Sequence, residues 1–216
     1  MPPASTILEQ LTTTTTELTF VAISWHFAIL AIALALLARW RPSAPQTALL
    51  LISPALSVAI ISAAYSSWFN AISFGLLALV LVVALDDIDL RWRLQGPGWS
   101  RWLGLALVAY GFCYPHFVAG GWHRAVFAAP VGLVPCPTLA VLVGFTLMGR
   151  AGGSRAIPAL LAVWTTFYAL FGIFVLGVVL DVGLFVAAVG ISALAVQNYR
   201  TGASARPTAS SRPAAA

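Results

Sequence analysis

Residues 157–196, IPALLAVWTTFYALFGIFVLGVVLDVGLFVAAVGISALAV, contain a single charged residue, Asp181. A helix that crosses a hydrocarbon core about 30 Å thick needs about 20 residues, at about 1.5 Å each. Forty residues make two crossings, 157–177 and 178–196, meeting at Gly177. Whether this stretch crosses once or twice decides on which side the chain ends, and so the topology of everything before it.

Outward from that pair, residues 20–38, 47–64, 69–85, 102–119 and 131–148 form five more apolar runs. The expectation is an all-α, polytopic transmembrane helix bundle of about seven spans. Composition agrees: 61% of residues are hydrophobic, 8% are charged and the mean hydropathy is +0.95, whereas soluble domains are about a quarter charged. The formal charge of +5 lies in loops between apolar runs, where it speaks for orientation in a membrane and not for nucleic-acid binding.

The arginines test the count. With the amino terminus outside and the carboxy terminus inside, Arg39, Arg41, Arg91, Arg93, Arg101, Arg150, Arg155, Arg200, Arg206 and Arg212 fall inside, and Arg124 alone falls outside. Basic loops on the cytoplasmic side are what the positive-inside rule demands. Six spans would reverse the last three arginines. Trp40, Trp92, Trp99 and Trp102 then flank the inner ends, and Trp25, Trp68 and Trp122 the outer ends, while Trp164 lies inside the sixth span.

Residues 1–19 read as an extracytoplasmic N-terminal segment, 20–197 as one integral domain of the cytoplasmic membrane, and 198–216 as a flexible cytoplasmic tail rich in Ala, Ser, Pro and Arg. The first nineteen residues carry no basic residue, so no secretory signal is expected there. Gly104, Gly111, Gly144, Gly172 and Gly183 would let helices approach closely in lipid. No internal repeat argues for two inverted halves.

Most of the chemistry-bearing side chains share one depth. His26, Cys113, His116, Cys136 and Asp181 all fall within roughly 10 Å of the outer interface, with His123 and Arg124 in the loop above them. Pro135 and Pro137 break helical continuity, so the regular helix is expected to restart at about Pro137, with Cys136 at its cap and Thr138 just inside. A helix N-terminus favours an anion, here a thiolate that acts as nucleophile or metal ligand.

Each of these residues also has a plainer reading. Cys113 and Cys136 can be inert small hydrophobes or a disulfide, and His26, His116 and His123 can be interfacial hydrogen-bonding anchors. Asp181 can cap the last helix, although ionisable groups in spans are costly and often functional. Asp86, Asp87 and Asp89 read as a solvated loop cluster beside Arg91, Arg93 and Arg101, not as a magnesium-diphosphate site, since no second aspartate cluster exists. The chain has no lysine, which excludes a lysine Schiff base. It also lacks the Gly-x-Ser-x-Gly, His-Glu-x-x-His, phosphate-loop and Cys-x-x-Cys motifs.

Tyr114-Pro115, Gly120-Gly121-Trp122-His123 and Gly132-Leu133-Val134-Pro135-Cys136-Pro137-Thr138 resemble the signature of a family of bacterial multi-pass membrane proteins of unknown function: Tyr-Pro, Gly-His, then Gly-x-x-Pro-Cys-Pro-Thr. Pro158, Trp164, Gly172, Leu176-Gly177-Val178 and Asp181-Val182-Gly183-Leu184 are similar to that family's closing hairpin. Leu139 stands where a second Thr is expected, and Trp122 separates Gly121 from His123. The resemblance implies topology and membership, not a substrate.

Three function classes follow. One is a metal-binding or thiol site around Cys136, with His116 and His123 as ligands and Asp181 as a further ligand or an orienting group; thiolate and imidazole suit zinc or copper. Haem is the weaker variant, since three histidines allow at most one bis-histidine site, which would draw on His26. The second is a small-solute or ion permease in which residues 135–138 present amides to an anion and Asp181 carries a proton. The third is a structural or assembly subunit with a membrane partner or a second copy.

Overall fold

The computed structural model describes residues 3–38, 40–84, 92–93, 97–117, 126–151 and 156–204. His123, Arg39, Arg91, Trp122, Arg124, Arg155, Arg206, Arg212 and the Asp86-Asp87-Asp89 cluster lie outside the described residues.

The described chain is almost wholly helical: α1 Ala4–Glu17, α2 Thr19–Leu37, α3 Ala44–Ala64, α4 Trp68–Ala84, α5 Gly98–Phe112, α6 Pro135–Met148, α7 Ala156–Leu170 and α8 Val182–Ser204. α7 is extended by a π turn, Phe171–Val175, and α8 is preceded by a 3-10 turn, Val179–Asp181. Four segments are long and apolar enough to cross a membrane: Thr19–Leu37, Pro45–Ala64, Ala156–Val175 and Val179–Arg200. Trp68–Ala84 and Pro135–Met148 are apolar but shorter.

α6 is buried along its whole length, from Pro135 to Met148, and α5, α7 and α8 pack around it while α3 pairs with α4. By contrast Leu34, Leu49, Ile60, Leu79, Val163 and Val189 stand exposed, an apolar exterior that suits contact with lipid. α5 lies close against α6. Gly104 and Gly144 face each other so tightly that a Cβ on either would lie 2.6 or 2.7 Å from the other's carbonyl oxygen. Trp25 ties α2 to α3 through Ser57 Oγ (2.9 Å), and Trp164 ties α7 to α4 by donating to the Ser73 carbonyl (3.1 Å).

At one end of the bundle, the strands β1 Trp92–Arg93 and β2 Arg150–Ala151 pair antiparallel, with Arg93 opposite Arg150. The α4–α5 and α6–α7 connections therefore share that end. At the other end α1 folds over the α3–α4 turn and the loop after α5. Gln10 Nε2 donates to the Tyr65 carbonyl, Thr15 Oγ1 to the Phe117 carbonyl, and Tyr65 Oη to Glu17 Oε2 at 2.8 Å.

Several expected boundaries are corrected. The N-terminal segment holds a helix through its five threonines, a residue type whose stiff χ1 lowers helix propensity. Here the hydroxyls of Thr12, Thr14 and Thr16 bond back to carbonyls one turn earlier at 2.8–2.9 Å. α5 stops at Phe112, not near residue 119, because Pro115 disfavours helical backbone just before it. α6 starts at Pro135, two residues before the expected restart at Pro137. α8 runs on to Ser204, past the expected end near residue 196.

Candidate functional site

The buried loop before α6 sets the position of Cys136. Val134 is the N-cap in extended conformation and Pro135 takes N1, which puts Cys136 at N2 and Pro137 at N3. Thr138 fastens this start: its hydroxyl donates to the Val134 carbonyl (2.7 Å) and accepts from the Gly132 amide (2.8 Å). The prolines have no amide hydrogen, so of the first three helical positions only Cys136 offers a donor. The expected anion-binding array of amides is therefore reduced to a single N–H.

Opposite Cys136 lies Asp181, the last residue of the 3-10 turn, with 0% of its surface exposed. Both of its carboxyl oxygens accept from other segments of the chain. Tyr114 Oη donates to Oδ1 at 2.7 Å, and the Cys136 thiol donates to Oδ2 at 3.4 Å. Tyr110, one turn before Tyr114, donates to the adjacent Leu180 carbonyl at 2.5 Å, and its ring meets Tyr114 edge-on. Gly172, in the π turn, closes the other side, where a Cβ would overlap Asp181 Oδ2. Three chain segments thus converge on one carboxyl group: the end of α5, the start of α6 and the α7–α8 turn. Among the described residues no Arg or His pairs with it.

A cavity of about 330 Å³ lies directly beside this cluster. Cys136 and Gly172 form the part of its wall that backs onto Asp181. Ile7, Gln10 and Leu11 of α1 line it as well, together with Trp68, Phe69, Phe117 and Phe171. Its polar edge is a relay in which Tyr168 Oη donates to Asn70 Oδ1 (3.0 Å) and Asn70 Nδ2 donates to Ser67 Oγ (3.2 Å).

Of the residues singled out in the sequence, Cys136 and Asp181 come together, Pro135 lines the cavity, and Pro137 and Thr138 shape the start of α6. Cys113 and His116 do not join them. Cys113 is an exposed free thiol at the C-cap of α5 and Cys136 a buried one, so the pair is not bridged. His116 is exposed, its ring edge-on to Phe117. His26 is buried against Phe112 with Nδ1 unpartnered. Among the described residues no three His, Cys, Asp or Glu side chains gather as a metal-binding group.

Sequence reasoning missed Tyr114 as a site residue, along with Asn70 and Tyr168. The four-residue spacing of Tyr110 and Tyr114, which would place both on one face of a helix continued as far as Tyr114, was the available signal. Comparison of the chain with protein-family models, curated proteins and solved structures finds no match.

Proposed function

We propose that the chain is a seven-span protein of the cytoplasmic membrane, amino terminus outside, and that it is a small-solute permease whose outer cavity works with the carboxyl group of Asp181. The spans are α2 to α8. α4, α5 and α6 fall short of a full crossing as helices, and the buried residues 129–134 extend α6 towards the outer interface. Irregular backbone at membrane depth is tolerated where protein buries it or where it lines a cavity. The arginine distribution and the shared end of the α4–α5 and α6–α7 connections support the orientation. Membership in the bacterial family that the Pro-Cys-Pro-Thr block resembles belongs to the same proposal.

One observation carries the permease reading: a fully buried carboxyl group, hydrogen-bonded by Tyr114 and Cys136 and without a cationic partner among the described residues, backs onto a cavity. An ionised carboxylate in such surroundings is costly unless compensated. A proton or a cation supplies the compensation, and exchanging one for the other couples solute to proton. In proteoliposomes under an imposed proton gradient, flux should fall to the level of empty vesicles in Asp181→Asn. Undiminished flux in that variant would refute the role of Asp181.

A second reading rests on the 3.4 Å approach of Cys136 Sγ to Asp181 Oδ2, which would let the two share a divalent metal ion with Tyr114 beside them. Mass spectrometry of purified protein should then find about one zinc or copper ion per chain, lost in Cys136→Ala. A metal content unchanged by that substitution would end this reading.

A further inference from the structure

We infer that the cavity is built for a small organic cation with an aromatic body, not for an anion; this assignment rests on the permease reading for its physiological role. Volume comes first. A cavity of about 330 Å³ is roughly twice the ~150 Å³ engineered cavity that takes up benzene, so one substituted ring with a short side chain fits.

The walls give the charge. Trp68, Phe69, Phe117 and Phe171 present aromatic rings, and aromatic faces attract cations through their quadrupole, most strongly where water is excluded. Phe69 and Phe171 stack with centroids 6.2 Å apart, which fixes the orientation of one wall. Among the described residues no Arg or His lines it.

Behind this lining stands Asp181, separated from the cavity by a glycine and a thiol. A side chain at position 172 would collide with the carboxylate, so glycine there is what brings the charge close to the cavity. The Asn70–Tyr168 relay at the polar edge offers hydrogen bonds to an ammonium group or to a ring substituent. α1 covers the site, held by the contacts of Gln10 to Tyr65 and of Thr15 to Phe117. It covers the site with neutral side chains only: Ile7, Gln10 and Leu11.

The test is calorimetric titration of the purified full chain in mild detergent with three probes of matched size: phenethylammonium, 2-phenylethanol and phenylacetate. Phenethylammonium should bind at least about ten-fold more tightly than the alcohol, and phenylacetate should not bind. Asp181→Asn should bring the cation's affinity down to the alcohol's and leave the alcohol's unchanged. If that variant does not fold, Phe171→Leu should weaken the cation more than the alcohol, because it trims a ring and keeps the wall apolar. Equal binding of cation and alcohol, preferential binding of phenylacetate, or no binding at all would overturn the assignment. The ligand class and the permease role fail separately. Cation-selective binding without flux removes permeation and keeps the site, and proton-dependent flux of a neutral or anionic solute keeps permeation and removes the class.

Discussion

Substituting Gly104 by Ala tests how α5 is held on the central helix. A Cβ there would lie 2.6 Å from the Gly144 carbonyl oxygen, 2.7 Å from Met148 Cγ and 2.9 Å from the Met148 amide nitrogen. Two of those three atoms are backbone, so a rotamer change in Met148 relieves only part of the clash. Restoring ordinary contact requires the helices to part by roughly 0.8 Å, and a gap of about 0.5–1 Å forfeits a quarter to a half of each dispersion well along the seam. Overpacking of this kind costs about 1–3 kcal/mol, offset by the roughly 0.5–1 kcal/mol that Ala gains over Gly in a helix. The net expectation is a loss of about 1 kcal/mol, at most about 2.5 kcal/mol. Gly75→Ala is the control: its Cβ would meet nothing within 4 Å, so that variant should gain about 0.5–1 kcal/mol. Loss of helical circular dichroism on titrating dodecylmaltoside micelles with SDS measures both. The double variant Gly104→Ala/Gly144→Ala should lose less than the two single losses combined, because one parting of the helices makes room for both methyl groups. A Gly104→Ala midpoint at or above that of the wild type, or indistinguishable from Gly75→Ala, would refute the close-packed seam.

The same unfolding assay should show Tyr114→Phe destabilised by about 1–3 kcal/mol, because it leaves Asp181 Oδ1 buried without its donor; unchanged stability would mean the bond is not made. Gly172→Ala should cost a similar ~1–3 kcal/mol of overpacking, since its methyl group would occupy the place of Asp181 Oδ2, and a neutral outcome would place the carboxyl group elsewhere. Maleimide should label Cys113 faster than Cys136 in the folded protein, because Cys113 is exposed while Cys136 is buried and reached only through the cavity it lines; equal rates would contradict the buried position of Cys136. Thr15→Val removes the tie to the Phe117 carbonyl and should accelerate amide exchange in Ala4–Glu17 while exchange in α6 stays slow; identical exchange in α1 would show that this bond does not hold it.

Lengths of apolar sequence made the helices legible, and the glycines made part of the packing legible. Gly104, Gly111, Gly144, Gly172 and Gly183 all sit where a Cβ would meet a neighbour closer than 3.0 Å. α1 was harder to see, because a run of threonines argues against helix by propensity. Its inward face nevertheless keeps a helical spacing, with Ile7, Leu11, Thr14, Thr15 and Leu18 turned to the bundle, and tertiary contacts override the propensity. Cys136 and Asp181 were legible as unusual residues at a shared depth. Their mutual contact was not, because it joins positions 45 residues apart, and the bond from Tyr114 to Asp181 spans 67. No local periodicity encodes pairings of that range. His116 has the right depth and the wrong direction, since the chain turns at Pro115 and leaves it exposed.

The electrostatic sign of the site around Asp181 follows from two features that depth in the sequence does not contain. A helix N-terminus inside a membrane protein ordinarily recommends itself to anions, through free amides and the dipole. In α6 two of the first three amides are removed by Pro135 and Pro137, and the Thr138 hydroxyl is engaged with the Val134 carbonyl. What faces that helix start is itself an acidic side chain, reached by the thiol of Cys136. An incoming anion would therefore find one weak donor and a carboxyl group, whereas a proton or a cation finds a carboxyl group already oriented by Tyr114. The prolines that mark the site in the sequence act by withholding amides, which leaves the carboxyl group of Asp181 as the dominant polar group facing the start of α6.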